Sequence, residues 1–404
     1  MNTHTWRFGL AAVATLAFAC RPDGPSAPAL SASRSGLPFA EGLSSPGWQQ
    51  TARNLVIQAR LGPIPAGHAY PLLGVAQYLA VQRAEAADTV GGRALLETDR
   101  GAVAGASVVV LSYLFPSQTQ ALEDSVAAQA NAGPGEPHPA FAAGEAIGRA
   151  VGADIVVRAR TDGFTNPNTA VPPVGPGFWT SSAAPPLPVN GGQLPGVRPW
   201  FLTSASQFRP AAPPAFGSAE FEAALAEIRQ ISDTRTADQV RIATFWALNA
   251  GTITGSGYWL ELASQDIIEH GLSEREATHV FALVSATMAD AGIGCWDAKL
   301  TYWLIRPWKA DVAITVVPAV GMPNHPSYPS GHSCVSASAA EVLSAFFPEE
   351  RADLDAKVIE AGLSRMYAGI HYRFDIEAGQ ALGRSVARFA IAADASGSSV
   401  LTPY

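Results

Sequence analysis

Asn324-His325-Pro326-Ser327-Tyr328-Pro329-Ser330-Gly331-His332-Ser333 is the stretch on which the reading of this 404-residue chain turns. Two prolines and a glycine dictate a tight loop, and the apolar periodicity that follows starts a helix at about Ser333. A helix start presents backbone N–H groups that none of its own carbonyls can satisfy, so it is a natural seat for an anion. Gly331 lets an oxyanion approach closely, and Ser330 adds a hydroxyl donor. His332 is placed to exchange protons with that anion, because an imidazole titrates near neutral pH. Standing alone, the stretch reads equally as a turn with a capping serine and an exposed histidine.

Two further segments change that balance. Upstream, Lys299 and Arg306 lie nearly two helical turns apart on a helix-forming stretch, so both cations are expected on one helical face, with Pro307 ending the helix. Their neighbours Trp296, Tyr302, Trp303, Leu304, Ile305 and Trp308 surround them with apolar surface, and buried cations need an anionic partner. The plain alternative is a pair that snorkels to solvent. Downstream, Ser364-Arg365 is followed by His371 and then Asp375. Gly369 is expected to break the chain between Arg365 and His371, and the spacing of His371 and Asp375 lets the carboxylate orient the imidazole. Asp375 serves equally well as a helix cap.

In order and internal spacing, Lys299 with Arg306-Pro307, then Pro329-Ser330-Gly331-His332, then Ser364-Arg365 with His371 and Asp375 resembles the three-part signature shared by vanadium haloperoxidases and type 2 phosphatidic acid phosphatases. The motif region covers about residues 296–383. Residues 203–218, with Gln207-Phe208-Arg209-Pro210, and residues 234–246 look like bacterial vanadium haloperoxidases, whereas residues 46–160 resemble them only in helical character. The resemblance implies an all-α fold of helical bundles of the haloperoxidase/acid phosphatase type. It implies vanadate as cofactor, in a site that phosphate also fits. His371 would be the apical vanadium ligand, or the phosphate nucleophile in the phosphatase branch, and His332 the acid–base residue. Arg306, Arg365, Ser330 and the Gly331 N–H would bind oxyanion oxygens, Lys299 would bind one and later polarise peroxide, and Asp375 would orient His371.

Three features lean toward the peroxidase, whose partners are hydrogen peroxide, halide and a small organic substrate. Tyr372-Arg373-Phe374 before Asp375 resembles haloperoxidases, Trp296 matches an aromatic residue of their pocket, and no run of about twenty apolar residues offers the membrane spans of the lipid phosphatases. His325 resembles the second histidine of algal bromoperoxidases, which points to bromide or iodide; it reads equally as a loop histidine bonded to backbone. A soluble acid phosphatase acting through a phosphohistidine is the alternative, and a non-catalytic periplasmic oxyanion-binding protein a second one, disfavoured because simple binding needs no pair of imidazoles. The resemblance also allows a homodimer.

Composition sets the frame around the site. The net charge is −8 with no long basic run, which argues against nucleic acid as a partner. Arg7 and the apolar run 8–19, ending Ala17-Phe18-Ala19, read as a signal peptide over residues 1–19. Export to the periplasm follows, either as a cell-envelope lipoprotein anchored at Cys20 or as a secreted protein. Residues 20–45 read as a flexible linker, 46–217 as an N-terminal helical part, 218–395 as the helical core carrying the site, and 396–404 as a tail. Within the N-terminal part, residues 162–217 are a long Pro/Gly-rich irregular segment. Helices are expected at 48–60, 69–87, 94–115 in pieces, 118–132, 140–161, from Ser218, after capping boxes at Thr236 and Ser273, and at 290–308, 333–347, 353–368 and 375–393. Cys295 and Cys334 are read as two buried thiols, with a disulfide as the alternative. His4, His68, His138, His270 and His279 take no role, and Asp88, Glu136 and Asp311 read as solvated or capping groups.

Overall fold

In a computed structural model, the structure describes residues 43–88, 91–131 and 138–402. The signal peptide, Cys20, His4, Glu136 and nearly all of the linker lie outside the described residues. The fold is all-α: among the described residues there are thirteen α-helices and no strand. None of these helices is long and apolar enough to cross a membrane.

The first five helices are α1 (Ser45–Gln58), α2 (Pro63–Ala87), α3 (Arg93–Leu114), α4 (Thr119–Ala130) and α5 (Pro139–Thr161). Proline opens α1, α2 and α5 near their first positions, where its missing N–H costs nothing. α3 is one continuous helix rather than the expected pieces. Its glycines are not breaks but contact points: a Cβ on Gly101 would lie 2.0 Å from the Phe141 carbonyl oxygen, and one on Gly148 of α5 2.0 Å from that of Ala102. The two backbones touch, and only glycine permits it.

After the irregular segment come α6 (Ala219–Thr234), α7 (Ala237–Phe245), α8 (Thr254–Glu269), α9 (Glu274–Tyr302), α10 (Pro307–Ala310), α11 (Gly331–Phe346), α12 (Arg351–Tyr367) and α13 (Arg373–Ala395). The capping boxes at Thr236 and Ser273 form as read. The expected break near residue 290 does not occur, and α9 runs through 29 residues. It ends instead where Trp303 takes a left-handed conformation, φ 51°. Arg306 therefore sits beyond the helix in extended backbone, as the N-cap of α10, and does not share a helical face with Lys299. α11 begins at Gly331, two residues ahead of its expected start.

One apolar core takes Trp48, Leu73 and Val103 from the first set of helices and Phe281, Leu343 and Val358 from the second. The segment 162–217 has no helix beyond one short turn, as read, and is tied down by particular bonds. Asp290 of α9 accepts the N–H groups of Trp200, Phe201 and Leu202, and the Trp179 N–H bonds the Trp303 carbonyl at 2.6 Å.

Candidate active site

Four elements deliver the site. The last turns of α9 carry Trp296 and Lys299, the stretch before α10 carries Arg306, the loop into α11 and its first turn carry His325 to His332, and the end of α12, the connection after it and the start of α13 carry Arg365, His371 and Asp375 in turn. Gly369, φ 77°, makes the turn that separates Arg365 from His371. α11 and α13 approach closely through Gly379 and Gly383; a Cβ on Gly383 would lie 2.3 Å from the Cys334 carbonyl oxygen.

The geometry centres on His371. Its Nδ1 is 2.7 Å from Asp375 Oδ2, so the carboxylate takes the Nδ1–H and Nε2 keeps its lone pair. Nε2 lies 3.0 Å from Arg306 Nη1. Asp375 is not the N-cap of α13, a place Tyr372 takes; from the third helical position its Oδ2 accepts the Tyr372 N–H, and it also accepts the Ser327 hydroxyl, a partner the motif reading passed over. Arg306 donates further to the Ile370 and His325 carbonyl oxygens and, at 3.0 Å, to His325 Nδ1. His325 is thus more than a backbone-bonded loop residue, and its ring packs 5.1 Å from that of Trp296. Arg365 donates to Ser364 Oγ and to the Ala243 carbonyl. Lys299 Nζ is 5.7 Å from the Trp296 ring and gives all three of its donors to the carbonyls of Pro326, Ser327 and Pro329.

Lys299, Arg306 and Arg365 are all buried, and among the described residues none is in an ion pair with a carboxylate. Burial lowers Lys299 to about 8, Arg306 to about 10 and Arg365 to about 9. Burial, then Arg306 and Lys299, hold His371 well below its usual range, so its ring is neutral despite the adjacent carboxylate. His332 is held low by burial and by Arg365; its Nε2–H donates to the Trp246 carbonyl at 2.9 Å, which leaves Nδ1 as the acceptor. Burial pushes Asp375 up to about 6. The Ser330 side chain caps α11 by accepting the Ser333 N–H, while the Gly331 and His332 N–H groups have no protein partner among the described residues. Arrangements of this kind suit an oxyanion: clustered donors, a helix start and no carboxylate in contact with the cations.

A cavity of about 430 Å³ opens onto this cluster. Gly331, His332, Arg365 and His371 line it with Trp296 and His325, while Lys299, Arg306 and Ser330 stand behind the lining. Phe374 and Arg373 do not line it: Phe374 stacks on Tyr372, and the half-exposed Arg373 pairs with Glu227. Cys295 and Cys334 are free, buried thiols, so the disulfide alternative falls. One pair had no signal in the sequence. His68 of α2 bonds Asp162 at 2.7 Å, and both line the same cavity. Their separation along the chain gives no local pattern to find.

Residues 278–395 match the profile of the PAP2 superfamily and form a domain of it. A non-specific acid phosphatase of Providencia stuartii is 29% identical over 119 residues, which is 29% of this chain and 48% of that protein, so the match spans about half of the relative's length. A bacterial vanadium-dependent iodoperoxidase shares the fold with a TM-score of 0.73 at 23% identity, over 86% of this chain and 95% of that one. A holo-type bacterial vanadium-dependent chloroperoxidase does so with a TM-score of 0.66 at 15% identity, over 88% and 97%.

Proposed function

We propose that this chain is a vanadate-dependent haloperoxidase that uses hydrogen peroxide to oxidise halide, bromide or iodide ahead of chloride, to a hypohalous acid equivalent. The observation that carries the reading is His371 Nε2, its lone pair facing Arg306 Nη1 at 3.0 Å, beside two more buried cations, Lys299 and Arg365, that touch no carboxylate. A tetrahedral oxyanion fits those residues: one imidazole nitrogen to bind its centre, and guanidinium groups and helix-start N–H groups for its oxygens. The likeness to bacterial iodo- and chloroperoxidases over most of their length supports vanadate as that oxyanion.

Vanadium(V), when bound, supplies a Lewis acid that activates peroxide without changing oxidation state. The rest falls to the chain. Asp375 keeps the proton on Nδ1 of His371, so Nε2 stays available. Arg306 and Arg365 offset charge on the oxyanion oxygens, and Lys299 adds its charge from behind the loop it braces. His332, neutral before the anion enters, accepts a proton from hydrogen peroxide at Nδ1 and returns it to the departing oxygen.

The match to an acid phosphatase favours one second reading, a phosphomonoesterase in which His371 Nε2 attacks phosphorus and His332 protonates the leaving alcohol. The test runs the purified chain with and without orthovanadate, following peroxide- and bromide-dependent halogenation, and phosphomonoester hydrolysis without vanadate. Halogenation that requires vanadate is the expected result; hydrolysis alone replaces the peroxidase reading with the phosphatase one. Chloride oxidised as fast as bromide at matched pH would refute the halide preference. His332→Ala should retain vanadate and lose about 10²-fold or more in kcat. Export by the N-terminal segment is part of the proposal.

A further inference from the structure

We propose that the cavity beside the oxyanion site seats the organic acceptor, a hydroxylated arene, and that His68 holds its hydroxyl. Four observations lead there. First, Asp162 fixes the ring. Its Oδ2 lies 2.7 Å from His68 Nε2, while its Oδ1 accepts the Phe164 N–H at 2.9 Å. A carboxylate on Nε2–H leaves Nδ1 of the neutral imidazole as an acceptor. Second, Phe164 fixes the plane of that ring, stacking on it at 3.8 Å between centroids and 6° between planes. Third, Nδ1 makes no hydrogen bond among the described residues, although His68 lines the cavity. Of the other histidine–carboxylate pairs, His138–Glu97, His270–Glu349 and His279–Asp394 lie outside it, and His371–Asp375 belongs to the oxyanion cluster. Fourth, the cavity that His68 shares with the oxyanion cluster is lined by flat and polarisable side chains, among them Phe164, Trp200, Trp246, Trp296 and Met288.

An oriented acceptor in the wall of an aromatic-lined cavity of about 430 Å³ suits a ring that carries an O–H donor. The oxyanion cluster faces the same cavity, since His332, Arg365 and His371 line it. An arene held in this cavity meets the oxidised halogen where it is made. The chemistry rests on the peroxidase reading, which supplies a hypohalous acid; the binding does not. A hydroxyl hydrogen-bonded to Nδ1 sends electron density into the ring. A ring carbon forms a bond to halogen, the oxygen–halogen bond breaks, and the released hydroxide leaves as water with the ring proton. The product is the halogenated arene with its hydroxyl intact.

Calorimetric titration of the purified chain with 4-bromophenol and with 4-bromofluorobenzene reads the hydroxyl directly, with no vanadate or peroxide present. Wild-type protein should bind the phenol about tenfold more tightly, as one net hydrogen bond implies. His68→Phe keeps a ring against Phe164 and should bind the two compounds alike. Equal affinities in the wild-type protein, or a phenol preference that survives in His68→Phe, overturn the proposal. The peroxidase reading is judged on a separate signal, vanadate-dependent oxidation of iodide to triiodide by wild-type protein with no arene present, so the two fail independently.

Discussion

Two buried charged regions of this molecule are built in opposite ways. Asp290, enclosed in α9, offers its carboxylate to three backbone N–H groups at 2.7 to 2.9 Å. Further along the same helix stands Lys299, and around it Arg306 and Arg365, buried as deeply but facing carbonyl oxygens, a hydroxyl and two imidazoles. A buried charge with a full set of donors is scaffold: it ties the irregular segment to α9 and so holds Trp200 in the cavity wall. Like charges gathered with no opposing carboxylate in contact raise the energy of the fold unless an anion joins them. The first region is complete within the chain; the second is completed by what it binds.

Removing the carboxylate tests the scaffold half most severely. Asp290→Ala leaves three enclosed N–H groups without acceptors and should lower unfolding stability by about 3–5 kcal/mol in a urea titration. Next in size, phosphate at a hundred times its Kd should stabilise the wild-type protein by about 2.7 kcal/mol in the same titration, because it binds only the folded cluster. Arg365→Met sharpens the contrast further. The phosphate-free variant should be about 1 kcal/mol more stable than wild type, since a desolvated charge has gone, while the gain from phosphate shrinks markedly. A loss of stability like that of the Asp290 variant would place Arg365 in the scaffold instead.

The smallest effect lies in pH. Burial raises Asp290 from 3.8 to about 6 and lowers Lys299 from 10.5 to about 8. A raised carboxyl contributes most below its unfolded value and loses that contribution as pH rises through about 6. A lowered ammonium contributes most above its unfolded value and loses that contribution as pH falls through about 8. Arg365 and Arg306, lowered to about 9 and about 10, act in the same direction as Lys299. Phosphate-free protein should therefore gain stability from pH 8 to pH 10, and saturating phosphate should flatten that slope; a flat profile without phosphate would mean the cations already have a counter-charge.

What the sequence by itself determined was the local chemistry. Pro-Ser-Gly-His at a helix start, Arg365 before the Gly369 turn, and Asp375 within reach of His371 are short-range relations, set by backbone stereochemistry over a few residues. The all-α class was legible for the same reason, since periodicity and capping boxes act within single helices. Tertiary structure alone decided the rest. Trp303 ends α9 in a left-handed conformation and sends Arg306 off the helix, yet Arg306 still reaches His371, because contact depends on where the chain turns back and not on spacing. α3 stays whole because its glycines pack against α5, and in one sequence a packing glycine looks the same as a breaking one. Arg373 adjoins a motif residue and still turns to Glu227. His68 and Asp162, 94 positions apart, become partners only when α2 and the end of α5 meet.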